Sequence, residues 1–356
     1  MLYTLKDLVK IKYGKNQKNV ENPNGEYPIY GTGGLMSYSD EYLYNKPSVL
    51  IGRKGSISKV QFLDKPFWTV DTLFYTEVNE KLVYPKYLYY KMLPMDLSEY
   101  NEGTTIPSLR TETLYRILLE IPSKDIQEKV IRVLEFIDSK IELNNKINDN
   151  LLKLGDILYF ENYTKLKEQL PVGYKVVKLG DVANNYDSKR KPMSSREREN
   201  HQGKYPYYGA TSIIDYVDDY IFDDIYLLMG EDGTVKTAEG YPVLQYIWGK
   251  NWINNHTHVL KGKDVSTEFL VFALRRVNIE SLITGAVQPK INQENMNKIE
   301  IIIGTEEMNK KITDVFASIM KKYRNITEEN QRLTQLIDTL LPKLMNGEID
   351  LDKIEI

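Results

Sequence analysis

Cysteine is absent from this chain of 356 residues, and only three histidines occur in it. Without cysteine there can be no disulfide, no thiol nucleophile and no cysteine-ligated zinc or iron–sulfur site. The segment Asn254-Asn255-His256-Thr257-His258 places two histidines on one face of a predicted strand. Because no carboxylate pattern adjoins them, a packed strand or a base contact explains the pair better than a metal. We therefore expect no metal and no cofactor.

Long apolar runs and surplus basic charge are also missing. No apolar stretch reaches bilayer length, and the N-terminus lacks the basic-then-apolar pattern of a signal peptide, so we expect a cytoplasmic protein without membrane contact. The formal net charge of -3 disfavours a protein that grips nucleic acid mainly by its own electrostatics. A DNA reader of this composition would need a basic partner subunit for the phosphates and would itself contact base edges.

Catalytic motifs are absent as well. The chain has no Asn-Pro-Pro-Tyr type segment for amino methylation, no glycine-rich methyl-donor loop after a strand, no Gly-x-x-x-x-Gly-Lys-Ser/Thr phosphate loop and no persuasive nuclease carboxylate cluster. Its paired glycines, interpreted as backbone-geometry residues, are Gly52, Gly55, Gly230 and Gly233. We expect no catalytic activity.

The chain does contain an internal repeat, in which one sequence pattern occurs twice. The first copy runs Tyr27-Pro28-Ile29-Tyr30-Gly31, Gly52-Arg53-Lys54-Gly55-Ser56-Ile57, Trp68, Gly103-Thr104-Thr105-Ile106-Pro107 and a helix starting near Ser123. Roughly 180 positions later the order recurs as Tyr205-Pro206-Tyr207-Tyr208-Gly209, Gly230-Glu231-Asp232-Gly233-Thr234-Val235, Trp252, Gly285-Ala286-Val287-Gln288-Pro289 and a helix starting near Thr305. A duplicated unit of this size implies a partner with two copies of something to be bound.

Short strands and turns fill each copy, because Tyr-, Val- and Ile-rich runs alternate with Gly, Pro and Asn. Strands are predicted at 59–63, 73–78, 114–121 and 298–303, with short helices from Pro85 and after the N-cap Ser266. A long helix then ends each copy, with Ser123 and Thr305 as predicted N-caps.

Both long helices carry an apolar stripe at alternating spacings of three and four, which favours a helical partner over a globular core. The stripes are Ile126, Val130, Val133, Ile137, Ile141, Asn144, Asn148, Leu151, Leu154 or Gly155, Leu158, and Met308, Ile312, Val315, Ile319, Tyr323, Ile326, Asn330, Leu333, Ile337, Leu340. At about 40 residues, each helix would be roughly 60 Å long, and an antiparallel pair would hold the globular halves apart. Asn148 and Asn330 occupy the same step and are predicted either to fix the register by a mutual hydrogen bond or to tilt toward solvent.

These features predict an α+β fold, with two pseudo-repeated globular α/β domains and two long helices that form an antiparallel coiled coil. The predicted boundaries are 1–122 for the first domain, 123–170 for the central helix, 171–304 for the second domain and 305–356 for the C-terminal helix and tail.

The arrangement resembles the specificity subunit of type I restriction-modification enzymes over essentially the whole chain. Besides the repeated segments above, the resemblance is carried by Phe67-Trp68-Thr69-Val70-Asp71-Thr72-Leu73, Ser108-Leu109 after the Gly103 segment, and Leu340-Leu341-Pro342-Lys343-Leu344-Met345-Asn346-Gly347-Glu348. It implies that the globular halves are target recognition domains, each reading one half of a bipartite double-stranded DNA target. It also implies that the helices set the gap and dock two methyltransferase (M) subunits that methylate adenine, and that restriction (R) subunits can join.

Loops at one rim of each half are the candidates for the major groove, where base edges can be distinguished. The candidates are Lys12, Tyr13, Lys15, Asn16, Thr32, Arg53, Lys54 and Ser56 in the first half, and Lys189, Arg190, Lys191, Thr211, Glu231, Asp232 and Thr234 in the second. Arg53 could pair with guanine or take a phosphate, and the acids could accept from cytosine amines. The alternatives are solvated turn charges and an acidic loop that faces away from DNA.

Two other classes of function fit parts of the sequence. A two-headed scaffold that binds proteins or sugars would use the 27 tyrosines equally well. An enzyme with an unfamiliar site could use His256 and His258 with the acids between 215 and 224.

Overall fold

The computed structural model describes residues 1–285 and 287–349, which form two compact units. The first unit combines residues 1–143 with the described residues from 330 onward, and the second spans residues 144–329. Ala286 of the repeated glycine segment, and 350–356 of the predicted tail, lie outside the described residues. Each unit therefore contains a globular domain and a stretch of both long helices.

The first unit contains nine strands, three short α-helices and a 3-10 helix at Leu97–Tyr100 before the first long helix. The strands are β1 Leu2–Thr4, β2 Val9–Tyr13, β3 Tyr27–Gly31, β4 Gly34–Ser39, β5 Ser48–Gly52, β6 Val60–Leu63, β7 Trp68–Thr69, β8 Leu73–Val78 and β9 Leu118–Glu120. The short helices are α1 Leu5–Leu8, α2 Pro85–Met92 and α3 Thr111–Leu114. The strand predicted from 114 was wrong at its start, because Leu114 is the last residue of helix α3 and the strand begins only at Leu118.

The second unit repeats this plan. Its strands are β10 Lys175–Lys178, β11 Ala183–Asn185, β12 Gln202–Tyr208, β13 Ile213–Val217, β14 Phe222–Asp223, β15 Tyr226–Gly230, β16 Leu244–Ile247, β17 Lys250–Ile253, β18 Thr257–Gly262 and β19 Glu300–Ile303. Its short helices are α5 Leu179–Val182, α6 Ser195–Asn200, α7 Thr267–Leu274 and α8 Gln293–Asn297, and Ser266 caps α7 as predicted by accepting from Phe269 N.

Sheet order confirms that the two domains are copies of one design. The sheet β2-β8-β5-β6 corresponds to β11-β18-β15-β16, the pair β1-β9 to β10-β19, and β4-β3-β7 to β13-β12-β17-β14 with one further strand. In both copies the Tyr-Pro strand pairs parallel with the strand that carries the repeated tryptophan, Trp68 or Trp252. The repeated sequence segments therefore occupy repeated places in the fold.

The two long helices are α4 Lys124–Asn162 and α9 Glu306–Met345. They begin directly after the predicted caps Ser123 and Thr305, and the Thr305 hydroxyl accepts from Met308 N at 3.2 Å. In the second unit the helices run antiparallel, since partners pair in opposite order: Asn144 with Glu329, Asn148 with Thr327, and Tyr163 with Asn309. The first helix ends at Asn162, before the predicted stop at Pro171.

The helices bury a broader face than the predicted seam. Ile126 and Leu154 are 44% and 46% exposed, whereas Gln127 and Leu134 are fully buried. Leu154 turns outward because Gly155 is the position that faces Phe272, where a Cβ would lie 2.1 Å from a ring carbon. A second row of each helix thus packs against a globular domain, which explains why a purely helix-pairing pattern was incomplete.

Each domain shares one core with its helix stretches. In the first unit Val130 and Leu134 of α4, and Leu341 and Leu344 of α9, belong to the same buried cluster as the domain strands. In the second unit Tyr159 and Tyr163 of α4, and Phe316 and Met320 of α9, do the same. Because apolar burial contributes roughly 25 cal/mol per Å², these shared cores attach each domain firmly to its helices.

Polar contacts also join each domain to its stretches of the long helices. In the first unit the Tyr90 hydroxyl donates to Asp138 of α4. In the second, Arg275 donates to buried Asp156 at 2.7 Å, and Trp248 Nε1 donates to Glu328 of α9 at 2.8 Å. Among the described helices, none is long and apolar enough to cross a membrane.

Candidate nucleic-acid interface

A tryptophan fixes the first candidate loop in the first unit. Trp68 Nε1 donates to Lys15 O at 2.9 Å, and Lys15 N donates to Thr69 O at 2.9 Å. With its backbone held in this way, the loop leaves the side chains of Lys15 and Asn16 exposed. Tyr13 beside them is 52% exposed. Lys12 is partly covered and lies 3.5 Å from Glu77.

The loop after β5 lies against the glycine segment near residue 103. Gly55 N donates to Pro107 O at 2.9 Å, and Leu109 N donates to Arg53 O at 2.9 Å. Gly55 has φ +83, and a Cβ on Gly52 would lie 2.3 Å from Ser56 O, so both positions require glycine. The loop therefore presents Lys54 and Ser56 to solvent.

Arg53 is held in a defined direction. Its Nη1 donates to Asp71 O at 2.8 Å, and its guanidinium lies 5.1 Å from the centroid of the Tyr13 ring. Tyr13 in turn contacts Phe74 edge-on, at 5.0 Å between ring centroids. These contacts restrict the side chain but leave guanidinium donors for a further acceptor.

Thr32 lies in the turn between β3 and β4, next to the glycine that ends the Tyr-Pro strand. Gln61 Nε2 donates to Gly31 O at 2.9 Å. In the second unit Gln245 Nε2 donates to Gly209 O, also at 2.9 Å, close to Thr211. Both threonine turns are therefore anchored by the same glutamine contact, a feature that the sequence prediction missed.

In the second unit, equivalent hydrogen bonds hold the corresponding loops. Trp252 Nε1 donates to Lys191 O at 2.6 Å, which parallels the bond from Trp68. Gly233 N donates to Pro289 O at 3.0 Å, and Ile291 N donates to Glu231 O at 2.9 Å, which parallel the bonds of Gly55 and Leu109. The exposed candidates in this frame are Lys189, Lys191, Thr211 and Thr234.

Arg190 and Glu231, two predicted DNA contacts, form an ion pair with each other. Arg190 Nη1 lies 2.7 Å from Glu231 Oε2, with side chains only 12% and 14% exposed. Lys290 reaches the other Glu231 oxygen at 3.2 Å. Burial alone would raise the pKa of Glu231, but the hydrogen bond from Arg190 and nearby positive charge hold that pKa below its usual value. Asp232, by contrast, pairs with the half-exposed His256 at 2.7 Å.

His256 and His258 do not form the pair on one strand face that the sequence suggested. Strand β18 begins at Thr257, so His256 lies in the preceding turn, whereas His258 is 1% exposed and faces inward. His258 Nδ1 lies 2.6 Å from Asp187 Oδ2, and its Nε2 lies 2.9 Å from Ile291 O. The buried partner Asp187 was not singled out from the sequence, because its link to His258 spans 71 positions.

Asp187, Glu231 and His258 each offer one potential ligand atom, and these three atoms lie within 4.8 Å of one another, a spacing that could accommodate a metal ion. However, both ring nitrogens of His258 already face oxygen acceptors, and Arg190 and Lys290 neutralise Glu231. A cation would have to displace these partners. The donor set therefore fits an internal ionic cluster better than a metal centre.

The seam asparagines lie within the long helices, each in a different environment. Asn148 is 8% exposed and its Nδ2 donates to Thr327 Oγ1 at 3.1 Å. Asn330 is partly buried. A role for this pair in register stays a prediction.

Comparison with known proteins gives a consistent result. A family model described as type I restriction modification DNA specificity domain matches residues 1–153 and again residues 171–336. A putative type I restriction enzyme specificity subunit from Haemophilus influenzae is 36% identical over 140 residues, which is 39% of this chain and 35% of that relative. The MjaIX type I restriction enzyme specificity subunit from Methanocaldococcus jannaschii is 22% identical over 88% of this chain and 80% of its own length.

A solved structure also has a similar fold. The S subunit of a type I restriction-modification system from M. genitalium matches with a TM-score of 0.56 and 20% identity, over 97% of this chain and 95% of that chain.

Proposed function

Because the chain belongs to the type I restriction-modification DNA specificity family, with two copies of the family domain, we propose that each domain reads one half of a bipartite duplex DNA target. Specificity subunits are recognition subunits without catalysis of their own. The observation that carries the proposal is the duplicated frame, in which the indole N–H groups of Trp68 and Trp252 donate to backbone carbonyls of equivalent loops. Two copies of one frame with different exposed residues suit two different half-sites.

In the first domain the proposed contacts come from the loops beside β2, β3 and β5. Arg53 is the candidate for a guanine, since its orientation is restrained by Tyr13 and Asp71 while guanidinium donors remain. The proposed neighbours along the same rim are Lys12, Tyr13, Lys15, Asn16, Thr32, Lys54 and Ser56. Restraint before binding lowers the entropy that is lost when a contact forms.

In the second domain the proposed direct contacts are Lys189, Lys191, Thr211, Asp232 and Thr234. Arg190 and Glu231 would have to leave their mutual ion pair to reach DNA, so we assign them to holding the loops instead. This assignment also removes the difficulty of placing a second acidic group against phosphates.

The net charge of -3 suggests that most phosphate contacts come from partners, and we propose two methyltransferase (M) subunits in that role, with restriction (R) subunits able to join. Helix α4 offers an apolar surface for them. Phe136 and Leu143 in the first unit are 68% and 54% exposed, and Ile157 and Phe160 in the second are 59% and 50% exposed. These large apolar side chains stay exposed although the helix already buries an apolar face against its own domain, and exposed apolar groups of this kind suit a protein interface.

Sequencing of methylated adenines in a host that carries this chain and its cognate methyltransferase tests the proposal. The expected result is an asymmetric split motif. Arg53→Ala should relax or remove one half-site, and Thr234→Ala with Lys191→Ala the other, while the gap stays constant. The exposed Lys46, outside the candidate loops, provides a control through Lys46→Ala. A chain that binds no duplex DNA together with its methyltransferase would favour the protein-binding scaffold instead.

A further inference from the structure

The hydrogen-bond partners of His258 determine how many protons its ring carries. A carbonyl oxygen only accepts, so Nε2 must donate to Ile291 O. Asp187 Oδ1 accepts from Val259 N at 2.8 Å, and Arg190 lies 3.5 Å from Asp187 Oδ2; both contacts favour the charged carboxylate. The carboxylate is therefore ionised and can only accept, so Nδ1 must donate as well. With both nitrogens protonated, His258 is an imidazolium.

The charged groups that face this imidazolium come from four segments. Asp187 lies in the turn after β11, and Glu231 follows β15 at 3.8 Å from Nδ1. Arg190 binds Glu231 closely and reaches Asp187 only at 3.5 Å, and Lys290 binds the far oxygen of Glu231. His256 and Asp232 form a separate pair nearer the surface. The main counter-charge for Asp187 is consequently His258.

The first domain has different chemistry at the same three positions. Strand register aligns His258 with Phe74, since they face Met229 and Ile51 in equivalent strand pairs. Extending the β11–β18 register by two residues aligns Asp187 with Tyr13, which faces Phe74. Glu231 follows Gly230 as Arg53 follows Gly52. The ionic cluster of one domain therefore replaces an aromatic pair and an arginine in the other.

We propose that the His258 imidazolium is a positioning residue for the DNA-reading loops of the second domain, and that reading of its half-site, unlike that of the first, requires both ring protons. This inference rests on the proposed function. The cluster joins three segments at the rim: the one with Lys189 and Lys191, through Arg190; the one with Asp232 and Thr234, through Glu231; and the one at Ile291. Losing the Nδ1 proton would set a ring lone pair against the buried Asp187 carboxylate and push these segments apart.

Nitrogen-15 spectra of the histidine rings in the purified full-length chain test the charge state without DNA. Only three histidines are present, so the ring signals are few. We expect His258 to show two ring N–H protons that exchange slowly at neutral pH, assigned by their loss in His258→Phe. The side chain of His201 is 55% exposed beside Asp218 and serves as the exposed comparison. A single ring proton on His258 would overturn the imidazolium.

Methylation motifs test the positioning role. His258→Phe, which installs the residue of the first domain, should raise methylation at sites with one altered base in the second half-site about ten-fold, roughly the penalty of one mismatch. The first half-site and the gap should stay unchanged, and His201→Phe should leave the whole motif as it was. Asp187→Asn, which keeps the shape and one acceptor oxygen, is the second variant if His258→Phe does not fold.

A pH series separates positioning from a general loss of stability. With the complete complex and duplexes that carry the identified motif, discrimination at the second half-site should change with pH, while discrimination at the first half-site holds. Parental discrimination in both variants, or an equal pH dependence of both half-sites, contradicts the proposal. If the parent chain gives no split motif, the proposed function fails. Faster amide exchange at Ile291 in His258→Phe would then still support positioning, and unchanged exchange would refute it.

Discussion

Gln127 is the residue that joins the start of α4 to the first domain. It is fully buried, accepts from Tyr84 N at 2.9 Å, and donates to Leu82 O and Pro122 O at 3.0 and 2.9 Å. Gln127→Leu would leave these backbone groups buried without partners, so we expect a loss of about 2 kcal/mol in unfolding free energy. Chemical denaturation measures this loss. Glu128→Leu, at a half-exposed neighbour, should change it by less than about 0.5 kcal/mol.

Tyr87 makes the stability of the first unit decrease at alkaline pH. Burial raises its pKa to about 12, with a smaller contribution from Glu120. A tyrosine whose pKa is higher in the folded than in the unfolded chain contributes stability that is complete below pH 10 and is lost as pH rises to about 12. For a shift of about two units the loss is about 3 kcal/mol per group.

Tyr87→Phe should therefore flatten the decline of unfolding free energy between pH 10 and 12, as followed by denaturant titration at several pH values. Tyr42→Phe removes a hydroxyl from an exposed side chain and should leave the decline as it is in the parent. An unaltered slope in Tyr87→Phe would show that this phenol does not contribute to the alkaline limb.

Residue-level prediction from the sequence succeeded where a local pattern requires one residue type. The N-caps Ser266 and Thr305 and the turn glycines are such positions, because capping and positive φ depend on neighbours in the chain. It was less informative for Arg190 and Glu231. Their pairing across 41 positions is a tertiary contact, and a single sequence shows only that two opposite charges exist.

At the scale of elements, the exposed face of α4 predicts partner binding. Phe136→Asp with Leu143→Asp should abolish co-purification with the methyltransferase subunit, because a charge in an apolar interface must be desolvated. Far-ultraviolet circular dichroism should stay unchanged, since both side chains are more than half exposed. Val172, 99% exposed in a loop, gives the control Val172→Asp. Retained co-purification would place the methyltransferase elsewhere.

The helices show what periodicity can and cannot predict. The stripe of three and four spacing correctly indicated a helical partner, as the contacts of Asn144 and Asn148 in the second unit show. It missed the second buried row, which includes Leu134 and Phe316. Those residues pack against the globular domains, and a helical pattern alone does not reveal how many partners one helix has.

At the scale of the whole molecule, we propose that the two long helices act as a ruler that sets the gap between the half-sites, so lengthening both helices should change the gap without changing the half-sites. One heptad inserted between Leu143 and Asn144, and one between Glu329 and Asn330, falls where the two units divide. Seven residues add about 10 Å of helix, or about three base pairs. Methylated-base sequencing should find the same half-sites with the wider gap. Altered half-sites at the original gap would contradict the ruler.

Leu341, Leu344 and Met345 lie near the end of the described chain, yet they complete the core of the unit that begins at Met1. During synthesis, the ribosome must therefore make the entire second domain before the first can close its apolar interior. At about 5–20 residues per second, the nascent first domain waits on the order of ten seconds or more with that surface open. A premature stop codon after the second domain would consequently harm the half of the protein farthest from it in the gene.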